Sequence, residues 1–292
     1  MTGPAIEERS ARLLEVRFPS PALERETSLR ILRPEQVDGR VDQLPVLWLL
    51  HGGNDDFRSW TDKGRAEELT AGLPLVVVMP DCSPFGWYSD WVNATAQGPQ
   101  RWETTHLDEL RPWVESTFST RTDRAGRAIA GLSMGGFGAM SYAARHPELF
   151  GFAASFSGAL DSRDRRLSAV IQWSTGEMGG TPGDIWGDPV ADAWRWQEHN
   201  PTDLADHLRG VELHVRTGDG KPGGHHGGGP DEIEAGVHRA STTFHRRLVD
   251  LGIDHVFTES HGTHDWPYWQ DDLAATLPQV MDRARIGSEP PG

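Results

Sequence analysis

Apolar residues are distributed along the chain in two distinct ways. Residues 45–50 (PVLWLL) and 73–79 (LPLVVVM) are apolar at almost every position, as in parallel strands covered on both faces. Residues 127–132, 152–156, 211–217 and 255–259 read as further strands. Residues 13–18 and 28–32 instead alternate apolar with polar, which predicts an antiparallel edge. Helical patterning predicts helices over 105–117, 134–145, 231–251 and 268–283. Strands alternating with helices imply βαβ units and right-handed crossovers. The expected fold class is therefore α/β, with a mostly parallel central sheet flanked by helices.

Three stretches break this rhythm. Residues 83–101 are rich in Gly, Pro, Trp and Asn, and 179–202 hold Gly, Pro, Asp and three tryptophans. Both are longer than plain connections, so they are expected to cover or line a site. Residues 218–231 (GDGKPGGHHGGGPD) are glycine-dense and predict a flexible loop. No internal repeat or interdomain linker interrupts the pattern. Residues 1–292 are expected to form one domain, with 283–292 as a disordered tail.

Composition narrows the partners. The 28 basic and 43 acidic residues give a formal charge of −15, a field that opposes nucleic acid and anionic membrane. No stretch approaches the ~20 apolar residues of a membrane span, and residues 1–19 carry no apolar targeting core, so a cytoplasmic protein is expected. The lone Cys82 follows an apolar run and is expected to be a buried, inert thiol. Twelve tryptophans against three tyrosines supply core and, in part, an apolar cleft.

The strongest chemical signal is Gly131-Leu132-Ser133-Met134-Gly135, where an apolar strand meets a small-residue helix. G-x-S-x-G in that context places a serine on a tight, strained strand-to-helix turn, and the helix N-terminus points N–H groups at the reacting centre. Ser133 is the expected nucleophile. Its base should follow the last strand: His264, in Gly262-Thr263-His264-Asp265, fits that place better than its neighbour His261. For the acid, Asp219 directly after the strand at 211–217 is slightly favoured by pattern, with Glu232 and Glu234 open as acids at a helix start. Two backbone donors should bind an oxyanion: the N–H of Met134 and the N–H of Gly53, in the loop His51-Gly52-Gly53. His225 and His226 have no third ligand at a zinc-like spacing, so no metal and no cofactor are expected.

From about residue 45 to 273 the chain resembles the antigen 85-type mycolyltransferases of the esterase D superfamily. The matching segments include PVLWLLHG at 45–52, WYSDW at 87–91, GLSMGG at 131–136, NPTDL at 200–204, TGDGKP at 217–222 and GTHDWPYW at 262–269. The resemblance implies an α/β-hydrolase fold with Ser133 as nucleophile and His264 as base. It moves the acid from Asp219 to Glu234, with Glu232 one alternative, and implies Gly53 and Met134 as oxyanion donors. Asp90, Trp91 and Trp266, with His51 and Trp87, are expected to shape the substrate pocket. Members that handle trehalose carry an aspartate and a nearby arginine where this chain has His51 and Gly53-Asn54, so transfer to trehalose is not expected. The expected activity is serine carboxylester hydrolysis of a small-molecule ester. Acyl transfer to a sugar or natural-product hydroxyl is the alternative, and a non-catalytic binding protein ranks last.

Overall fold

The computed structural model describes residues 3–35 and 43–286. Nine strands among them form one sheet in the order β1-β2-β3-β5-β4-β6-β7-β8-β9. The strands are β1 (Ala5–Glu8), β2 (Leu13–Ser20), β3 (Arg25–Leu32), β4 (Val46–Leu50), β5 (Val76–Pro80), β6 (Arg127–Leu132), β7 (Phe152–Phe156), β8 (Glu212–Gly218) and β9 (Val256–Ser260). The pairs from β5 to β9 are parallel, and β1, β2, β3 and β5 pair antiparallel. The alternating segments thus form the antiparallel edge and the continuous apolar runs form the interior, as their patterns predict. β1 (AIEE) is exposed at every position and joins only by pairing with β2, so it leaves no apolar signal in the sequence.

Helices cover both faces: α1 (Ser59–Asp62), α2 (Ala66–Leu69), α3 (Trp102–Thr104), α4 (Arg111–Phe118), α5 (Met134–Arg145), α6 (Arg165–Glu177), α7 (Ala193–His199), α8 (Glu232–Asp250) and α9 (Trp266–Ile286). Two-residue periodicity in β4 divides the core. Val46, Trp48 and Leu50 pack with residues of α4–α8 on one face, whereas Leu47 and Leu49 pack with α1, α2 and α9 on the other.

Several expectations need correction. The helix predicted over 105–117 begins at Trp102 and widens into a π-helical stretch, Thr105–Leu110. There His106 is fully buried, one ring nitrogen bonded to Tyr142 Oη and the other to the Asp81 carbonyl, both at 2.9 Å. The irregular stretch 179–202 contains α7. α6 escapes the apolar pattern because its buried face is Ser168, Ile171, Ser174 and Thr175, mostly polar; its start is set by Asp164, whose carboxylate accepts from Arg166 and Leu167 N–H. Residues 283–286, expected in a disordered tail, continue α9, with Ala284 buried; the rest of that tail lies outside the described residues.

Candidate active site

Ser133 stands between β6 and α5, near the middle of the sheet. Its φ of 52° and ψ of −116° lie where L-residues are strained, a cost of about 1–3 kcal/mol that the surroundings must impose. They do so from three sides. Ser133 N–H donates to the Phe156 carbonyl at the end of β7 (2.8 Å). Gly135 packs so tightly that a Cβ there would fall 2.6 Å from the His51 carbonyl oxygen, and a Cβ on Gly136 would fall 2.6 Å from Ser155 Oγ. The loop after β4 closes the third side: a Cβ on Gly52 would stand 3.4 Å from Ser133 Cβ.

The fold brings His264 and Glu234 to this serine. Ser133 Oγ–H donates to His264 Nε2 (2.9 Å), and His264 Nδ1–H donates to Glu234 Oε2 (2.6 Å). A carboxylate only accepts, which fixes the proton on Nδ1 and leaves the Nε2 lone pair facing the hydroxyl. Glu234 is completely buried, and its other oxygen accepts from Gly218 N–H (2.6 Å), Ser157 Oγ (2.8 Å) and Thr217 Oγ1 (3.3 Å). Charge-assisted bonds of this kind offset the cost of burying the anion. Helical phase explains why this glutamate faces inward: Glu234, Val237, Ala240, Ser241, Phe244 and Leu248 form the buried stripe of α8. Glu232 lies off that stripe and is exposed.

Asp219 is engaged elsewhere. It accepts from His261 Nδ1 (2.8 Å), Lys221 N–H (3.0 Å) and Lys221 Nζ (3.0 Å). Burial works against its charge, but these donors outweigh burial and hold the carboxyl well below the usual carboxylate range. His261 is exposed and turned to Asp219 rather than to Ser133.

Sequence reasoning missed Asp231, Ser157 and Trp269. One Asp231 oxygen caps α8 through Ile233 and Glu234 N–H, and the other accepts from His264 N–H (2.8 Å). A single side chain thus sets the height of both Glu234 and His264. An aspartate at the very start of the predicted helix 231–251, the residue type that caps helix N-termini, was the available signal. Trp269 stands edge-on to the His264 ring, 4.9 Å between centroids, and donates to Ser157 Oγ (3.2 Å).

Of the backbone donors, Met134 N–H opens α5 and so lacks an intrahelical acceptor. No described residue accepts from Gly53 N–H. Phe85 borders Gly53, its Cε1 3.0 Å from where a Cβ would be, and the half-exposed Trp173 of α6 stands edge-on to Phe85 at 5.8 Å. A cavity of about 450 Å³ opens beside the same loop, lined by Asn54, Asp55, Phe57, Lys63, Asp81 and Pro84.

Most of the expected pocket residues are buried and hydrogen-bonded within the fold. The His51 ring is buried, bonded to the Gly52 carbonyl (2.8 Å) and accepting from Cys82 N–H (2.9 Å), so it latches the glycine loop to the segment after β5. Trp87 donates to Ser174 Oγ (2.8 Å) and Trp91 to the Gly86 carbonyl (3.0 Å); both indoles are buried. Asp90 accepts from Thr104 N–H (3.1 Å) and Oγ1 (2.5 Å) at the start of the helical run. Asp90 and Trp266 are partly exposed, and the Trp266 ring stands edge-on to Trp60 and Trp269. Cys82 is buried as expected, and burial raises its thiol pKa well above the ordinary value.

The Esterase family model matches residues 20–280. This chain belongs to the Esterase family. Esterase Rv1288 of Mycobacterium tuberculosis (strain H37Rv) is 35% identical over 288 residues, 96% of this chain; the chain spans 61% of the length of that relative. The Diacylglycerol acyltransferase/mycolyltransferase Ag85B of Mycobacterium leprae is 31% identical over 258 residues, 82% of this chain and 76% of that protein. Among solved structures, Mycobacterium tuberculosis MPT51 (FbpC1) superposes with a TM-score of 0.73 at 25% identity, covering 91% of this chain and 96% of that one. The sheet and flanking helices of this Esterase-family chain are thus those of the α/β-hydrolase fold. No helix among the described residues is long and apolar enough to cross a membrane.

Proposed function

We propose that this chain is a serine carboxylesterase of one α/β-hydrolase domain, with Ser133, His264 and Glu234 as its catalytic residues. The observation that carries the reading is the continuous path from Ser133 Oγ through His264 to buried Glu234, at 2.9 and 2.6 Å. Ser133 Oγ attacks the ester carbonyl as its proton passes to His264 Nε2. Glu234 holds the ring in its tautomer and stabilises the imidazolium. The N–H groups of Gly53 and Met134 bind the developing oxyanion. His264 then returns the proton to the leaving alcohol. In the second half, water loses a proton to His264, attacks the acyl-enzyme, and the acid departs as Ser133 regains its hydrogen. The substrate is a small ester and not a nucleic acid, since the formal charge of −15 opposes a phosphate backbone.

Cleavage of p-nitrophenyl acetate by Ser133→Ala tests this. Loss of kcat by about 10⁶-fold is expected, with an unchanged melting temperature. Retained turnover in the folded variant removes Ser133 from the chemistry. The 31% identity to a mycolyltransferase supports acyl transfer as a second reading. Adding an alcohol acceptor during turnover separates the two: hydrolysis gives free acid throughout, whereas transfer diverts the acyl group into a new ester.

A further inference from the structure

The glycine-dense loop between β8 and α8 carries His225 and His226, for which the sequence offers no third ligand. The fold supplies one. Asp271, 45 residues beyond His226 in α9, brings one carboxylate oxygen to both rings: His225 Nε2 and His226 Nε2 each lie 2.7 Å from Asp271 Oδ2. We propose that His225, His226 and Asp271 form a binding site for a divalent first-row transition-metal ion such as zinc.

The three ligand atoms all lie within 4.8 Å of one another. A zinc ion bonds imidazole nitrogen and carboxylate oxygen at about 2.0–2.2 Å, which sets neighbouring ligands about 3.4 Å apart in a tetrahedron. Small side-chain rotations widen the present contacts that far. Two imidazoles with one carboxylate favour zinc, nickel or copper over magnesium and calcium, which take oxygen ligands. On binding, each ring moves its proton to Nδ1 and gives the Nε2 lone pair to the ion. The three side chains are all exposed on their outer side, so water completes the coordination.

The rings are held in place before any ion arrives. Tyr268 of α9 stands edge-on to both, at 4.9 and 5.0 Å, and its hydroxyl donates to the Gly227 carbonyl (3.0 Å). Gly224 packs against the same tyrosine with no room for a side chain. The loop is therefore already seated on α9 with both histidines turned to Asp271. It continues into Asp231 and Glu234, while His264 lies two residues before the start of α9. An ion here would staple together the two segments that carry the acid and the base.

The test is calorimetric titration of the full, tag-free chain with zinc chloride, beside Asp271→Asn, His226→Ala and the double variant His225→Ala/His226→Ala. The expected result is one ion per wild-type chain, affinity at least tenfold lower in each single variant, and no saturable binding in the double variant. Melting temperature and fluorophosphonate labelling without metal, both expected to match wild type, show that the variants are folded. Absence of saturable binding in the wild type overturns the site. So does binding whose stoichiometry and affinity survive Asp271→Asn or the double substitution.

Discussion

Two regions beside Ser133 are rich in the same polar and aromatic groups and use them in opposite ways. In the cradle formed by β8, α8 and the loop at 261–265, donors converge on Glu234 and leave one imidazole lone pair facing the serine hydroxyl. In the tryptophan-rich segment at 83–101, the polar atoms are consumed internally. Trp87 and Trp91 donate to Ser174 and Gly86, Tyr88 Oη donates to the His51 carbonyl, and Asp90 holds Thr104. A group whose bonding capacity is already met within the fold has little to offer a substrate. Under the proposed mechanism, the first region carries the chemistry. The second is bonded within itself and holds the glycine loop, through Tyr88 Oη on the His51 carbonyl.

The comparison breaks most sharply at the acid. Glu234→Gln should lower kcat for p-nitrophenyl acetate by about 10⁴-fold, because the ring loses its tautomer and its counter-charge. Asp219→Asn and Glu232→Gln should stay within about threefold, since neither carboxylate touches His264. A large loss confined to Asp219→Asn reverses the assignment. In the second region, Trp91→Ala should cost about 3–5 kcal/mol in urea unfolding as a buried indole is deleted. Where the variant remains folded, kcat should change much less than in Glu234→Gln. The opposite pattern, full stability with lost turnover, would make Trp91 a substrate contact.

The smallest expected effect concerns pH. Burial is the main cause that lowers the His106 pKa from 6.5 to about 4. Its folded pKa lies below the unfolded one, so the unfolded chain binds a proton first. His106 therefore contributes stability above pH 6.5 that is lost as pH falls towards 4. Urea melts at pH 6.5, 5.5 and 4.5 should show wild type losing stability faster than His106→Gln, by up to about 1.4 kcal/mol per pH unit. Equal slopes would mean that His106 is not held neutral by the fold.

Much of this was legible from pattern. Period-two and continuous apolar runs separated edge from interior strands, and the glycines around Ser133 marked a turn that tolerates no side chains. What pattern misread were segments whose meaning depends on distant partners. α6 hides because its inward face is polar and satisfied locally. For Trp87, Asp90 and Trp91, expected to shape the pocket, packing shows where their donors and acceptors go. Glu234 could have been chosen from helical phase alone, as it shares a stripe with Val237, Phe244 and Leu248.

By itself the sequence determined an α/β chain with a strained serine at a strand-to-helix turn, because local backbone geometry and burial period are written in neighbouring residues. Tertiary structure decided which carboxylate meets His264, that Asp231 ties that histidine to α8, and that Asp271 joins His225 and His226. These pairings span 30 to 46 residues. Separations of that size are closed by the sheet's crossovers and not by any local preference, so they become visible only when the strands are laid side by side.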